Sequence, residues 1–191
     1  CIKICNNVLN DQYDNINAVN LIGMCLIQQK KYKEAEKKLI EGLSIDENNV
    51  ALLNTLGKLY FEIWDLNNSE KFYLKALEVN PKSYQTLNNL AGFYLETNNS
   101  QKALNYYNEA YQIIPIEPTI HINLSKTYLS LDNFEEAEKY SLSALKIRNE
   151  DSFKKILSII YFRKLDFKNA WRFFDGRLGL NEFLEKNESY K

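Results

Sequence analysis

YQTLNNLAGFYLETNNSQKALNYYNEAYQIIPIE, residues 84–117, decides the fold, because its key positions recur 34 residues away on both sides. Leu87, Leu90, Ala91 and Tyr94 follow the i, i+3, i+4, i+7 spacing of one helix face; Ala103, Tyr107 and Ala110 define a second. One period earlier stand Leu53, Leu56-Gly57, Tyr60, Ser69, Tyr73, Ala76 and Pro81; one period later, His121, Leu124-Ser125, Tyr128, Ala137 and Ala144. A first copy reads Val19, Ile22-Gly23, Leu26, Ala35, Leu39 and Gly42, and a fifth, slipped by one residue, reads Leu157-Ser158, Tyr161, Ala170 and Phe174. A fixed period of this length marks an array of repeated supersecondary units.

Each unit reads as two amphipathic helices of about three to four turns, joined by a short turn and therefore antiparallel. The small residues Gly23, Gly57, Ala91, Ser125 and Ser158 are expected where the two helices approach most closely, and Ala35, Ser69, Ala103, Ala137 and Ala170 opposite them. One hairpin cannot bury its own apolar stripe, so the copies must stack. Asn48-Asn49, Asn80-Pro81, Pro115 with Pro118, and Asn149 to Asp151 are expected between units. Turns within units are expected near Lys30-Lys31, Asp65 to Asn68, Asn98-Asn99 and Asp132-Asn133.

The chain resembles the tetratricopeptide repeat family, whose pattern of a large residue, Leu-Gly, Tyr, then Ala, an aromatic and Pro is matched from about residue 16 to about residue 180. The resemblance implies an all-α fold, a right-handed α-α superhelix (a TPR solenoid) of about five helix-turn-helix repeats, with the first helix of each lining the inner surface. The expected boundaries are 16–49, 50–83, 84–117, 118–150 and a degenerate 151–184, with a tail at 185–191. Residues 1–15 read as the second helix of a truncated preceding repeat, with Cys1, Cys5 and Val8-Leu9 in its packing places, so the sequence is expected to begin inside an array. The family usually has Gly in the turn within each hairpin. Asn and Asp are mild replacements, but Trp64 and Leu165 depart from the pattern without a reason visible in the sequence.

With 24 basic and 25 acidic residues the chain is nearly neutral, which argues against a dedicated nucleic-acid or membrane-surface binder. It has no long apolar run and no leader pattern; membrane insertion is not expected, and a cytoplasmic location is. Three cysteines and one histidine lack the paired spacing of a zinc site, so no metal or other cofactor is expected. Sequons at Asn67, Asn98, Asn123 and Asn187 fit chance in an Asn-rich chain. His121 stands in a packing place, and Glu34, Glu36, Glu135 and Glu136, interleaved with Lys38 and Lys139, read as a solvated, salt-bridged outer face. No catalytic constellation results, and this chain is not expected to be an enzyme.

A binding site is expected on the inner surface, from the first-helix residues that point away from the packing stripe. These are Asn20 and Met24; Asn54, Lys58 and Glu62; Asn88, Asn89 and Glu96; Thr119, Asn123 and Lys126; Lys155 and Arg163. An asparagine row can hold an extended peptide without reading its sequence, since an amide both donates to and accepts from a backbone. It is similar to the asparagine ladder in the repeats of O-linked N-acetylglucosamine transferases; equally, an Asn-rich chain places Asn everywhere. The two-carboxylate clamp of chaperone-binding members is not matched: its places hold Asn54, Lys58, Asn89, Thr119 and Asn123, with cations missing or displaced. The segment Trp171 to Leu178 resembles the close of the repeat region in bacterial members that continue into a catalytic domain. Its alternative is a plain end cap, with Asp175 and Arg177 paired at the edge. Two functions follow from the resemblance: a scaffold that binds a peptide or protein segment along a concave groove, or the substrate-recruiting region of a larger enzyme such as a glycosyltransferase.

Overall fold

Asparagine and aspartate set where most helices begin. In the computed structural model, which describes residues 15–174, the side chains of Asn15, Asn49, Asp65, Ser83, Asn99, Glu117 and Asn133 each accept a hydrogen bond from a backbone N–H in the first turn that follows. The helices are α1 (Ile16–Gln28), α2 (Tyr32–Ile45), α3 (Val50–Glu62), α4 (Leu66–Val79), α5 (Tyr84–Glu96), α6 (Ser100–Ile113), α7 (Pro118–Ser130), α8 (Phe134–Ile147), α9 (Asp151–Arg163) and α10 (Phe167–Phe174). The described residues are thus all-α and contain no strand. The expectations for residues 1–14, and for Asp175, Arg177, Asn187 and the 185–191 tail, lie outside the described residues.

Each first helix stops by the same device. Lys30, Trp64, Asn98, Asp132 and Leu165 have φ between 54 and 60°, the left-handed region, at the place where the family pattern has Gly. The next residue's N–H reaches back to the last turn of the helix: Lys31 to Leu26 O, Asp65 to Tyr60 O, Asn133 to Tyr128 O and Asp166 to Tyr161 O, at 2.9 Å each. This is a Schellman termination, and it satisfies carbonyls that the helix end would otherwise leave bare. The second turn is accordingly Ile63 to Asp65, a few residues earlier than the sequence suggests, and Asp65 caps α4 instead of forming the turn. Pro118 lies not between units but at the start of α7, where a missing N–H has no helical partner to lose.

The chain forms two compact units, Cys1–Thr97 and Asn98–Lys191, so the third repeat contributes α5 to one and α6 to the other. In the first unit α1 pairs with α2 and α3 with α4, α2 packs on α3 and α4 on α5, and the first helices α1, α3 and α5 are neighbours. In the second, α7 pairs with α8 and α9 with α10, while α6 packs on α7, α8 on α9 and α7 on α9. Hairpin closeness has a steric cause: a Cβ on Gly23 would lie 2.5 Å from Leu39 Cδ2, and one on Gly57 2.6 Å from Tyr73 Cε1. Serines seal two hairpins by donating across them, Ser69 Oγ to Gly57 O at 2.9 Å and Ser125 Oγ to Ala137 O at 2.7 Å. The first unit's core joins Ile22, Leu26, Leu39, Leu52, Leu56 and Leu59; the second has clusters around Phe153 and around Leu157 and Tyr161.

Candidate functional site

The first-helix residues divide into a tied layer and a free layer. In the first unit Thr55 Oγ1 donates to Asn20 Oδ1 at 2.6 Å, linking α3 to α1. Asn54 Nδ2 donates to Val50 O at 2.9 Å and to Thr86 Oγ1 at 2.7 Å, and Asn54 Oδ1 accepts from Asn89 Nδ2 at 3.3 Å, linking α3 to α5. Thr86, fully buried, passes its own proton to Ser83 Oγ at 2.8 Å. Both amide hydrogens of Asn54 are therefore committed inside the protein, and a backbone carbonyl could gain one only by displacing an internal partner. Asn20, Asn54, Asn88 and Asn89 are half-buried.

Above this floor, Lys58, Glu62 and Glu96 are exposed and make no ion pair or side-chain hydrogen bond among the described residues; Met24 is exposed beside Asn20, whose Nδ2 lies 3.9 Å from its sulfur. In the second unit Thr119, Lys126 and Lys155 are exposed and Asn123 is half-buried. Arg163 is exposed but occupied: its Nη1 donates to Leu129 O at 3.3 Å and Asp132 Oδ1 at 3.1 Å, bracing α9 against the turn that follows α7.

Second-helix acids do work that their spacing did not announce. Tyr60 Oη donates to Glu36 Oε1 at 2.5 Å, Tyr94 donates to Glu70, and Tyr161 Oη donates to Glu138 Oε1 at 2.6 Å. Glu36 thus belongs to a seam between successive repeats, not to a solvated outer face, although Lys31–Glu34, Lys38–Glu41 and Glu136–Lys139 do pair on that face. The signal was present in the numbering: Glu36, Glu70 and Glu138 share one repeat position and each precedes its tyrosine by 23 or 24 residues. Burial and the Glu36 carboxylate push the Tyr60 phenol up to about 12, and burial with Glu138 does the same for Tyr161. Burial alone would push the Glu138 carboxyl up, but hydrogen bonds from Lys164 (2.7 Å) and Tyr161 outweigh it and hold it below the usual value.

His121 is buried, as its packing place implies. Its Nε2 is 2.7 Å from Pro115 O, so that nitrogen carries the proton, and the ring meets Tyr111 edge-on at 5.3 Å and Tyr140 at 5.9 Å. Among the described residues no three His, Cys, Asp or Glu side chains gather as a metal would need, and no helix is long and apolar enough to cross a membrane.

Comparison with known proteins agrees with this geometry. Two family models, both described as Tetratricopeptide repeat, match the chain: one at 16–49, 50–83 and 118–151, more than half of the 191 residues, the other at 72–105. No curated protein matches by sequence. Among solved structures, the chain is similar to PilF of Pseudomonas aeruginosa (TM-score 0.77, 21% identity, 84% of this chain and 73% of that one). It is also similar to PilW, a widely conserved type IV pilus biogenesis factor (0.78, 18%, 85% and 75%), and to MamA of Desulfovibrio magneticus RS-1 (0.72, 18%, 83% and 90%). At these identities the likeness speaks to the fold.

Proposed function

The chain belongs to the tetratricopeptide repeat family, and on that premise we propose that it is a protein–protein interaction scaffold, holding a peptide or protein segment against the first-helix faces, with no chemistry of its own. The observation that carries this is the contrast between two kinds of charge. Glu36, Glu70 and Glu138 on second helices are tied to tyrosines, whereas Lys58, Glu62, Glu96 and Lys126 on first helices are exposed without an ion pair among the described residues. Exposed charges of both signs over a rigid polar floor suit side-chain-selective recognition, so the asparagines organise the surface and the charges select. The residues proposed to face a partner are Asn20, Asn54, Lys58, Glu62, Asn88, Asn89 and Glu96 in the first unit and Asn123, Lys126, Lys155 and Arg163 in the second. The partner is a protein or extended peptide, not nucleic acid, and the proposed location is cytoplasmic.

The test is selection of random displayed peptides on the full chain, followed by titration of an enriched peptide. Lys58→Ala and Asn89→Ala are each expected to weaken it about tenfold, equivalent to about 1.4 kcal/mol. Failure of any peptide to enrich, or unchanged affinity in both variants, overturns the reading. In the second reading the same surface recruits substrate for a catalytic domain of a longer protein, such as a glycosyltransferase of the O-linked N-acetylglucosamine type. It draws on Trp171 and Phe174, which stack edge-on at 5.3 Å while each keeps 38% of its surface exposed.

A further inference from the structure

Trp64 carries two features that local stability opposes. It occupies the left-handed region at φ 60°, where a bulky side chain is strained, and 69% of its surface is exposed. The ring is nonetheless held in place: it lies 6.0 Å from Phe61, Phe61 meets Phe93 edge-on at 5.9 Å, and Phe93 reaches the buried Tyr73 and Tyr94 at 6.5 and 5.3 Å. Ile63 beside it is 43% exposed. The result is an aromatic shelf at the turn end of α3 and α5, anchored in the core of the first unit.

Carboxylates end both helices that carry the shelf. Glu62 is the last residue of α3 and Glu96 the last of α5, and neither helix has a basic residue in its final turn. Both charges lie at the negative end of a helix dipole, where a cation belongs. The Glu62 charge is also felt at Tyr73, whose phenol is pushed well above its usual value first by burial and then by that carboxylate. Arg163 holds the matching place at the end of α9, where Asp132 and Leu129 O engage it.

We infer that this edge binds an arginine-bearing segment of a protein partner, one guanidinium lying on the Trp64 ring with Glu62 and Glu96 accepting its N–H groups. The assignment rests on the scaffold reading above and adds the chemistry of what is recognised. An exposed indole is the strongest ring partner for a guanidinium, and the charge at the ends of α3 and α5 is complementary. A purely apolar partner would leave both carboxylates desolvated without compensation.

The probe is fluorescein-labelled hexa-arginine, with hexa-glutamate as control, titrated into the full chain by anisotropy at low and at physiological salt. Hexa-arginine is expected to bind and hexa-glutamate not to. Trp64→Gly should weaken binding about tenfold, and the pair Glu62→Gln with Glu96→Gln by a similar factor. Gly is at ease at φ 60°, so Trp64→Gly should melt at or above the wild-type temperature, separating loss of the shelf from loss of the fold. Lys58→Ala should leave hexa-arginine binding intact or tighter, although it is expected to weaken the displayed peptides about tenfold. Equal binding by Trp64→Gly, or equal response to both probes, overturns the inference while leaving the scaffold reading to its own test. Enrichment of displayed peptides that ignore Trp64, with no hexa-arginine binding, does the same.

Discussion

Tyr60→Phe isolates one hydrogen bond of the inter-repeat seam. The substitution keeps the ring, which stacks on Phe72 at 5.4 Å and 3° interplanar angle, so no cavity opens and packing terms cancel. What is lost is the 2.5 Å bond to the Glu36 carboxylate. A hydrogen bond to a charged group is worth about 1.5–3 kcal/mol. Water can re-solvate the half-buried Glu36, so the net loss should fall to about 1–2 kcal/mol. Urea unfolding of the full chain followed by circular dichroism measures it, and a cycle with Glu36→Gln should return a coupling of about 1 kcal/mol. The phenol, held protonated first by burial and then by Glu36, also has a pH signature. With its folded pKa raised to about 12 from 10.0, Tyr60 contributes stability that is fully present below pH 10 and lost as pH rises through 12. Tyr60→Phe should remove that portion of the alkaline decline. A change within about 0.3 kcal/mol, with the alkaline limb unaltered, would refute the seam as a stabilising device.

Two further outcomes follow from the same geometry. Gly57→Ala gains helix propensity of about 0.5–1 kcal/mol but sets a methyl 2.6 Å from the Tyr73 ring, and overpacking of that kind costs about 1–3 kcal/mol; a melt above wild type would show the hairpin to be looser than described. The depressed Glu138 carboxyl contributes stability present above the usual carboxylate range and lost as pH falls through its folded value, so Glu138→Gln should flatten the acid limb of the stability profile, and an acid limb identical to wild type would count against the Lys164–Glu138–Tyr161 network.

Much of the fold was legible because steric and capping rules act over short distances. Gly57 and Tyr73 are 16 residues apart, yet the repeat marks both; Asp65, Asn99 and Asn133 cap second helices from one repeat position, and Asn15 and Asn49 cap first helices from another. Trp64 and Leu165 were visible as departures, and their positive φ shows that the Schellman stop is imposed by the helix end and its following N–H, not by the residue that occupies it. Other features were hidden because their partners sit in different repeats. Glu36 reads as a surface acid until α3 brings Tyr60 to it, and Asn54 reads as a free amide until Thr86 and Asn89 take up its bonding capacity.

The sequence by itself thus determined periodicity, most helix ends and the residues that must be small, since helix ends follow from local backbone geometry and caps, and the small places recur with the repeat. Only the tertiary structure decided which polar side chains remain available to a partner, because availability depends on what the stacked helices place within hydrogen-bond reach.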